Sequence, residues 1–122
     1  MAKILVVEDV EYLLTLLQLV LKEEGGHHVV SAKSGKEAVR LCEEDSFDLV
    51  LTDISMPDMN GLELIDSLRR SHPKLPILAM SGAFIGQGFK VAKLLGAAGT
   101  IAKPFTCEEL LMKIDELLEE RA

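Results

Sequence analysis

Lys3-Ile4-Leu5-Val6-Val7-Glu8-Asp9 is an apolar run that stops at two adjacent acids. The run is continuous rather than alternating, which suits a strand covered by protein on both faces, as in a parallel sheet. Working outward, four more runs of this kind occur: His28–Ala32, Asp48–Thr52, Pro76–Met80 and Thr100–Ala102. The stretches between them carry helix signals. Ser34-x-x-Glu37, Asn60-x-x-Glu63 and Thr106-x-x-Glu109 are capping boxes, in which a short polar side chain and a carboxylate serve each other's free N–H groups. Phe105 and Leu110 are spaced to staple the last of these. In the first helix Leu13, Leu16, Leu17 and Val20 fall at i, i+3, i+4 and i+7, which predicts one apolar face. Gly25-Gly26 ends that helix, where left-handed backbone is needed. The fourth helix is expected over roughly Gln87–Leu95.

Strands alternating with helices predict an α/β domain whose parallel sheet has helices on both faces. With right-handed crossovers, five strands give a doubly wound (βα)5 sheet of the flavodoxin-like kind, order 2-1-3-4-5. Such a sheet binds ligands at the carboxyl ends of its strands, in the crevice between the first and third. A chain of 122 residues fits one domain, 1–122, and no linker or repeat divides it.

The net charge of −7 argues against direct contact with nucleic acid or an anionic membrane, both of which need clustered Lys and Arg. No apolar run approaches a membrane span, and Met1-Ala2-Lys3 leads into too short a core for a signal peptide. Cys42 and Cys107 are too far apart in sequence to read as a disulfide framework or metal cluster, so they are expected as reduced structural thiols. Those features together predict a cytoplasmic protein. His27-His28 reads as a solvated turn rather than a metal pair, since adjacent side chains point different ways.

The residues at the strand ends sort by chemistry. Glu8 and Asp9 follow the first run, Asp53 ends the third, Ser81 follows the fourth and Lys103 follows the fifth. Three carboxylates converging at one edge repel each other, and a divalent cation relieves them. Oxygen donors without cysteine or histidine suit Mg²⁺, or Mn²⁺, rather than Zn²⁺. A metal, a lysine, a hydroxyl and a carboxylate nucleophile are the parts that phosphoryl transfer to aspartate requires.

Those residues and their flanks resemble the response-regulator receiver domains of two-component signalling. The resemblance lies in Lys3-Ile-Leu-Val-Val-Glu-Asp, in Asp53-x-x-Met-Pro-x-Met-x-Gly61, in Ser81 and in Ala102-Lys-Pro-Phe, and runs from about Lys3 to Leu118. It implies that Asp53 takes a phosphoryl group from a phosphohistidine on a sensor histidine kinase or phosphotransfer protein. By the same resemblance Asp9, Asp53 and the Ser55 carbonyl ligate Mg²⁺, and Glu8 holds it through waters. Lys103 pairs with Asp53 and then with the phosphoryl oxygens, Ser81 moves to meet them, and the Lys103–Pro104 bond is cis. The output is a shifted surface of fourth helix, fifth strand and fifth helix that binds a downstream partner protein. The chain is thus expected as a phosphorylation switch, not a turnover enzyme, with self-phosphorylation and slow self-hydrolysis only. Ser55 and Ala83 flank the approach of water, and neither is a general base. The sequence is expected to hold no output domain, as a single-domain regulator or a receiver from a longer regulator or hybrid kinase.

The chain departs from the family pattern in three places. Glu8 replaces the more usual Asp, and Ser81 stands where Thr is common. Thr100 occupies the place of an aromatic residue whose rotamer often relays the switch, so readout through loop and helix shifts is expected instead. Rival readings fit less well. A haloacid-dehalogenase-type phosphatase needs an Asp where Ser55 stands, and a flavodoxin-like nucleotide binder needs a Gly-rich loop where Glu8-Asp9-Val10-Glu11 stands. A pseudo-receiver would lack part of the site set.

Overall fold

In the computed structural model, which describes residues 1–54, 60–82 and 85–121, five strands alternate with five helices. The strands are β1 (Lys3–Val7), β2 (His28–Ala32), β3 (Leu49–Asp53), β4 (Ile77–Ser81) and β5 (Gly99–Ala102). The helices are α1 (Glu11–Leu19), α2 (Gly35–Glu44), α3 (Gly61–Ser71), α4 (Ile85–Leu95) and α5 (Cys107–Arg121), with a π-helical extension of α1 over Val20–Glu24. All pairings are parallel and the strand order is β2-β1-β3-β4-β5, as the alternation predicts. Each expected strand lies within a residue of its observed bounds; Asp53 and Ser81 are the last residues of β3 and β4.

Successive residues of a strand point to opposite faces. On one face Leu5, Val7, Val50, Ile77 and Ala79 pack with Ala38, Leu64, Ile65, Leu68 and Ala92 from α2, α3 and α4. On the other, Ile4, Val6, Leu49, Leu51, Leu78 and Met80 pack with Leu14, Leu17, Leu110, Ile114 and Leu117 from α1 and α5. Both faces are covered by helices, which is why the central strands read as unbroken apolar runs. The polar edge is then left as the place where function can sit.

Helix starts follow the local chemistry. The Glu37 N–H donates to Ser34 Oγ at 3.2 Å, and Glu37 Oε1 accepts from the Lys33 N–H at 2.7 Å. At α3 the Glu63 N–H donates to Asn60 Oδ1 at 2.9 Å, while the return contact runs from Asn60 Nδ2 to Glu63 Oε1 at 3.1 Å. At α5 Thr106 and Glu109 form the full reciprocal pair, and Phe105 and Leu110 pack in one cluster. Gly26 has φ 70°, the left-handed turn expected after α1.

Two expectations are corrected. The buried stripe of α1 is Leu14, Leu17, Val20 and Leu21, with Leu13 half-buried and Leu16 51% exposed. Opposite the polar line of Glu11, Thr15, Gln18 and Lys22 the helix carries an apolar arc wider than one stripe, and the sheet takes the part of it rotated past Leu16. His27 is not in a solvated turn. It is buried, and its Nδ1 accepts a hydrogen bond from the Ala2 N–H at 3.1 Å. That N–H precedes β1, and a side chain serves it where a neighbouring strand does not. Burial, followed by the nearby amino terminus, holds His27 below its ordinary value of 6.5, and Asp115 opposes them. Cys42 is buried, and burial pushes its thiol up to about 11, while Cys107 is exposed.

Candidate functional site

The carboxyl edge of the sheet gathers the predicted side chains. The Glu8 N–H donates to the Ala32 carbonyl at 3.0 Å, extending the β1–β2 ladder by one residue. This places the Glu8 side chain inside the crevice, fully buried, instead of on the surface. Its Oε2 accepts the Val10 N–H at 3.2 Å and its Oε1 accepts from Lys103 Nζ at 3.1 Å. The same ammonium donates to Asp53 Oδ2 at 2.7 Å. Asp53 lies at the end of β3 with only 7% of its surface exposed, and the Thr52 hydroxyl donates to its carbonyl at 2.9 Å. Ser81 is buried at the end of β4, and its carbonyl accepts the Lys103 N–H at 2.9 Å. This bond carries the β4–β5 register one step beyond the strand and aims Lys103 at the crevice. The Lys103–Pro104 bond is cis, as the resemblance implies. Ser55 and Ala83 lie outside the described residues.

Glu8, Asp9 and Asp53 can each offer one carboxylate oxygen such that the three oxygens lie within 4.8 Å of one another. Asp9 is exposed and the other two are buried. Burial raises the Glu8 carboxyl above its ordinary value, and the Asp53 charge raises it further; the Val10 N–H and Lys103 partly offset this. Burial alone would lower the Lys103 ammonium, but the hydrogen bonds and charges of Asp53 and Glu8 outweigh it, and Lys103 stays above its ordinary value. One ammonium serves two buried carboxylates, with the third carboxylate at the rim. The donor set is all oxygen and holds excess negative charge, which fits a small hard dication such as Mg²⁺.

Gly61 carries a role that its place in the motif did not explain. A Cβ there would stand 2.2 Å from the Asp53 carbonyl oxygen and 2.3 Å from Ile54 Cα, so only glycine lets the start of α3 close over the end of β3. The Gly61 N–H donates to the Ile54 carbonyl at 3.2 Å and ties the two together. Beside the site, α1 and α5 leave an apolar groove of about 480 Å³ lined by Tyr12, Leu16, Phe105 and Cys107, with Gly82 and Lys103 at its site end. Its α1 wall is Tyr12, Leu13, Leu16, Leu17 and Val20, so the stripe expected as a packing face lines the groove, with Leu17 and Val20 shared between groove and core.

The family model for the response regulator receiver domain matches residues 4–115. The alkaline phosphatase synthesis transcriptional regulatory protein PhoP of Bacillus subtilis is 37% identical over 117 residues, which is 95% of this chain and 48% of that protein. The transcriptional regulatory protein GlrR of Escherichia coli is 32% identical, over 99% of this chain and 27% of that protein. The chain therefore spans half or less of the length of these curated relatives. Among solved structures, a CheY-like receiver domain protein of Methanospirillum hungatei superimposes with a TM-score of 0.92 at 31% identity, covering 98% of this chain and 94% of that one. A receiver domain protein of Clostridium thermocellum gives a TM-score of 0.93 at 28% identity, covering 99% and 97%. With a match that spans nearly all of the sheet and every strand end described above, the chain belongs to the response regulator receiver domains of two-component signalling.

Proposed function

We propose that residues 1–122 form one receiver domain that takes a phosphoryl group onto Asp53 and signals by changing what it binds. The observation that carries this reading is the 2.7 Å bond from Lys103 Nζ to Asp53 Oδ2 inside a cluster of three carboxylates. A lysine on a buried strand-end aspartate holds that carboxylate in one orientation at the crevice, which a nucleophile requires.

Asp9 and Asp53 would hold Mg²⁺ directly, Glu8 would hold it through waters, and Ser55 would add its backbone carbonyl. The ion supplies charge neutralisation on the transferring phosphoryl oxygens. An Asp53 carboxylate oxygen attacks the phosphorus of a partner's phosphohistidine. The O–P bond forms as the P–N bond breaks, and the imidazole nitrogen leaves with the electron pair. Lys103 remains charged throughout and turns from the carboxylate to the phosphoryl oxygens. Ser81, at the end of the adjacent strand, donates its hydroxyl to the phosphoryl group. Neither Ser55 nor Ala83 carries a general base, so the switch is expected to hydrolyse slowly.

The donor is a sensor histidine kinase or phosphotransfer protein, and the output partner reads the α4–β5–α5 face. The groove between α1 and α5 is the docking place for the donor, because it is apolar and opens onto Lys103 and Gly82. Leu16→Ser is expected to slow transfer from a protein donor about tenfold and leave reaction with acetyl phosphate unchanged. Equal slowing with both donors would remove the groove from the mechanism. The reading as a whole is tested by ¹⁹F NMR with beryllofluoride. A bound fluoride signal that needs Mg²⁺ and disappears in Asp53→Ala supports it; no bound signal in the wild-type chain contradicts it.

A further inference from the structure

Arg69, on α3, has an unusual set of partners. Among the described residues it bonds carbonyls rather than carboxylates. Its guanidinium donates to His72 O at 3.3 Å and Pro73 O at 2.5 Å through one nitrogen. The other nitrogen donates to Leu75 O at 2.8 Å and Gly96 O at 2.9 Å. One planar cation thus joins the end of α3, the connection into β4 and the residue just past α4. A guanidinium has a fixed fork of donors and serves several acceptors at once, which a lysine cannot do.

Gly96 is built for this contact. Its φ is 118°, a backbone state that L side chains rarely adopt, and a Cβ there would stand 2.7 Å from Arg69 Nε. The surrounding backbone is closed as well. The Gly96 N–H donates to the Ala92 and Lys93 carbonyls, the Ala97 N–H to Ala92 O at 2.9 Å, and the Ala98 N–H to Ile77 O at 2.9 Å. Ala92 itself is fully buried. The carboxyl end of α4 is therefore held to α3 and β4.

The other end of α4 is put together differently. Gly86 and Gly88 fall in its first turns, and glycine is the weakest helix former after proline. Gly88 rests against Ile54, the residue after Asp53: a Cβ on Gly88 would lie 3.0 Å from Ile54 Cδ1. The intrinsically weak end of the helix is the one that rests against Ile54, just past the strand that ends in Asp53.

We infer that Arg69 is the pivot of the switch: it pins the Gly96 end of α4, so that a change at Asp53 displaces the Gly88 end and leaves the Gly96 end in place. This inference rests on the phosphoacceptor reading and names how that site is read out without a ring at Thr100. A partner that distinguishes the two states then contacts the first half of α4, around Phe89 and Lys90, and the region after Leu95 is common to both states.

Amide hydrogen exchange of the full chain, with Mg²⁺ alone and with Mg²⁺ plus beryllofluoride, tests the pivot. In the wild type the exchange rates of residues 88–91 should change by about fivefold or more, and those of Gly96, Ala97 and Ala98 by less than about twofold. In Arg69→Gln the last three amides should exchange at least about tenfold faster and should now respond to beryllofluoride. Arg69→Lys, which keeps the charge and loses the fork, should do the same to a smaller extent, and it decides the matter if Arg69→Gln does not fold. Equal responses at both ends of α4 in the wild type, or a response still confined to residues 88–91 in the folded variants, overturn the pivot. No response anywhere to beryllofluoride overturns the phosphoacceptor reading, and the pivot with it.

Discussion

The two ends of the sheet bury polar groups in opposite ways. At the amino end, among the described residues, buried His27 and the half-buried Asp48, Arg69 and His72 each find a backbone partner. His27 takes the Ala2 N–H, Asp48 takes the Lys3 N–H, Arg69 takes carbonyls, and His72 Nε2 donates to the Cys42 carbonyl. The Lys3 side chain pairs with Asp45 and lies over the Phe47 ring. At the carboxyl end, Glu8 and Asp53 share the single Lys103 ammonium, with Asp9 beside them. The first end is closed and structural. Among the described residues, the second holds surplus negative charge at the place where a parallel sheet accepts a ligand, which on the proposed reading a bound cation relieves. Among the described residues, the site is marked by three carboxylates gathered around one ammonium.

The sharpest way to break this contrast is to disturb the carboxyl end sterically. Gly61→Ala puts a methyl group into backbone on both sides of the Asp53–Ile54 bond. It should cost about 3 kcal/mol in urea unfolding, near the upper end for overpacking. A cost under about 0.5 kcal/mol would mean that α3 does not close on β3 as described. Next in size is Lys103→Ala, which removes the only described ammonium from two buried carboxylates. Acyl phosphate formation from acetyl phosphate should slow about a hundredfold, and an unchanged rate would take Lys103 out of the chemistry.

Mg²⁺ sharpens the comparison. At ten times its dissociation constant it should stabilise the wild type by about 1.4 kcal/mol. That gain should disappear in Asp9→Ala and survive in Arg69→Lys, as read by thermal unfolding. Stabilisation that persists in Asp9→Ala would place the ion elsewhere. A smaller effect belongs to the start of α5: Thr106→Ala should cost about 1 kcal/mol by leaving the Glu109 N–H without its acceptor.

The smallest effect tests the amino end. Because His27 is held below 6.5, mainly by burial, the unfolded chain binds a proton there more readily than the folded one. This contribution to stability is complete above pH 6.5 and is lost as pH falls from 6.5 through the lowered folded value. His27→Gln should flatten that segment of the stability curve. A curve with the same slope in wild type and variant would contradict the buried acceptor role.

What could be read from the sequence, and what could not, follows from where each interaction keeps its partners. Strands and caps were legible because their signals are local: an unbroken apolar run for β1, β3 and β4, and Thr106 three residues from Glu109. Glu8, Asp53, Ser81 and Lys103 were legible because a parallel sheet brings its strand ends together whatever the separation in sequence. Arg69 and His27 were not, since they answer backbone groups, which every residue carries and no pattern marks. The face of α1 was ambiguous for another reason. An apolar arc wider than one stripe does not reveal which part of it the sheet takes, and its edge at Tyr12, Leu13 and Leu16 lines the groove beside Lys103.

The central claim is that the surplus charge at the carboxyl end exists to accept a phosphoryl group on Asp53. Intact mass after incubation with acetyl phosphate tests it most directly, with and without Mg²⁺, for wild type and Asp53→Ala. A single phosphoryl adduct that requires Mg²⁺ and is missing from Asp53→Ala is the predicted result. An unmodified wild-type chain, or an adduct that forms equally in Asp53→Ala, would contradict the claim.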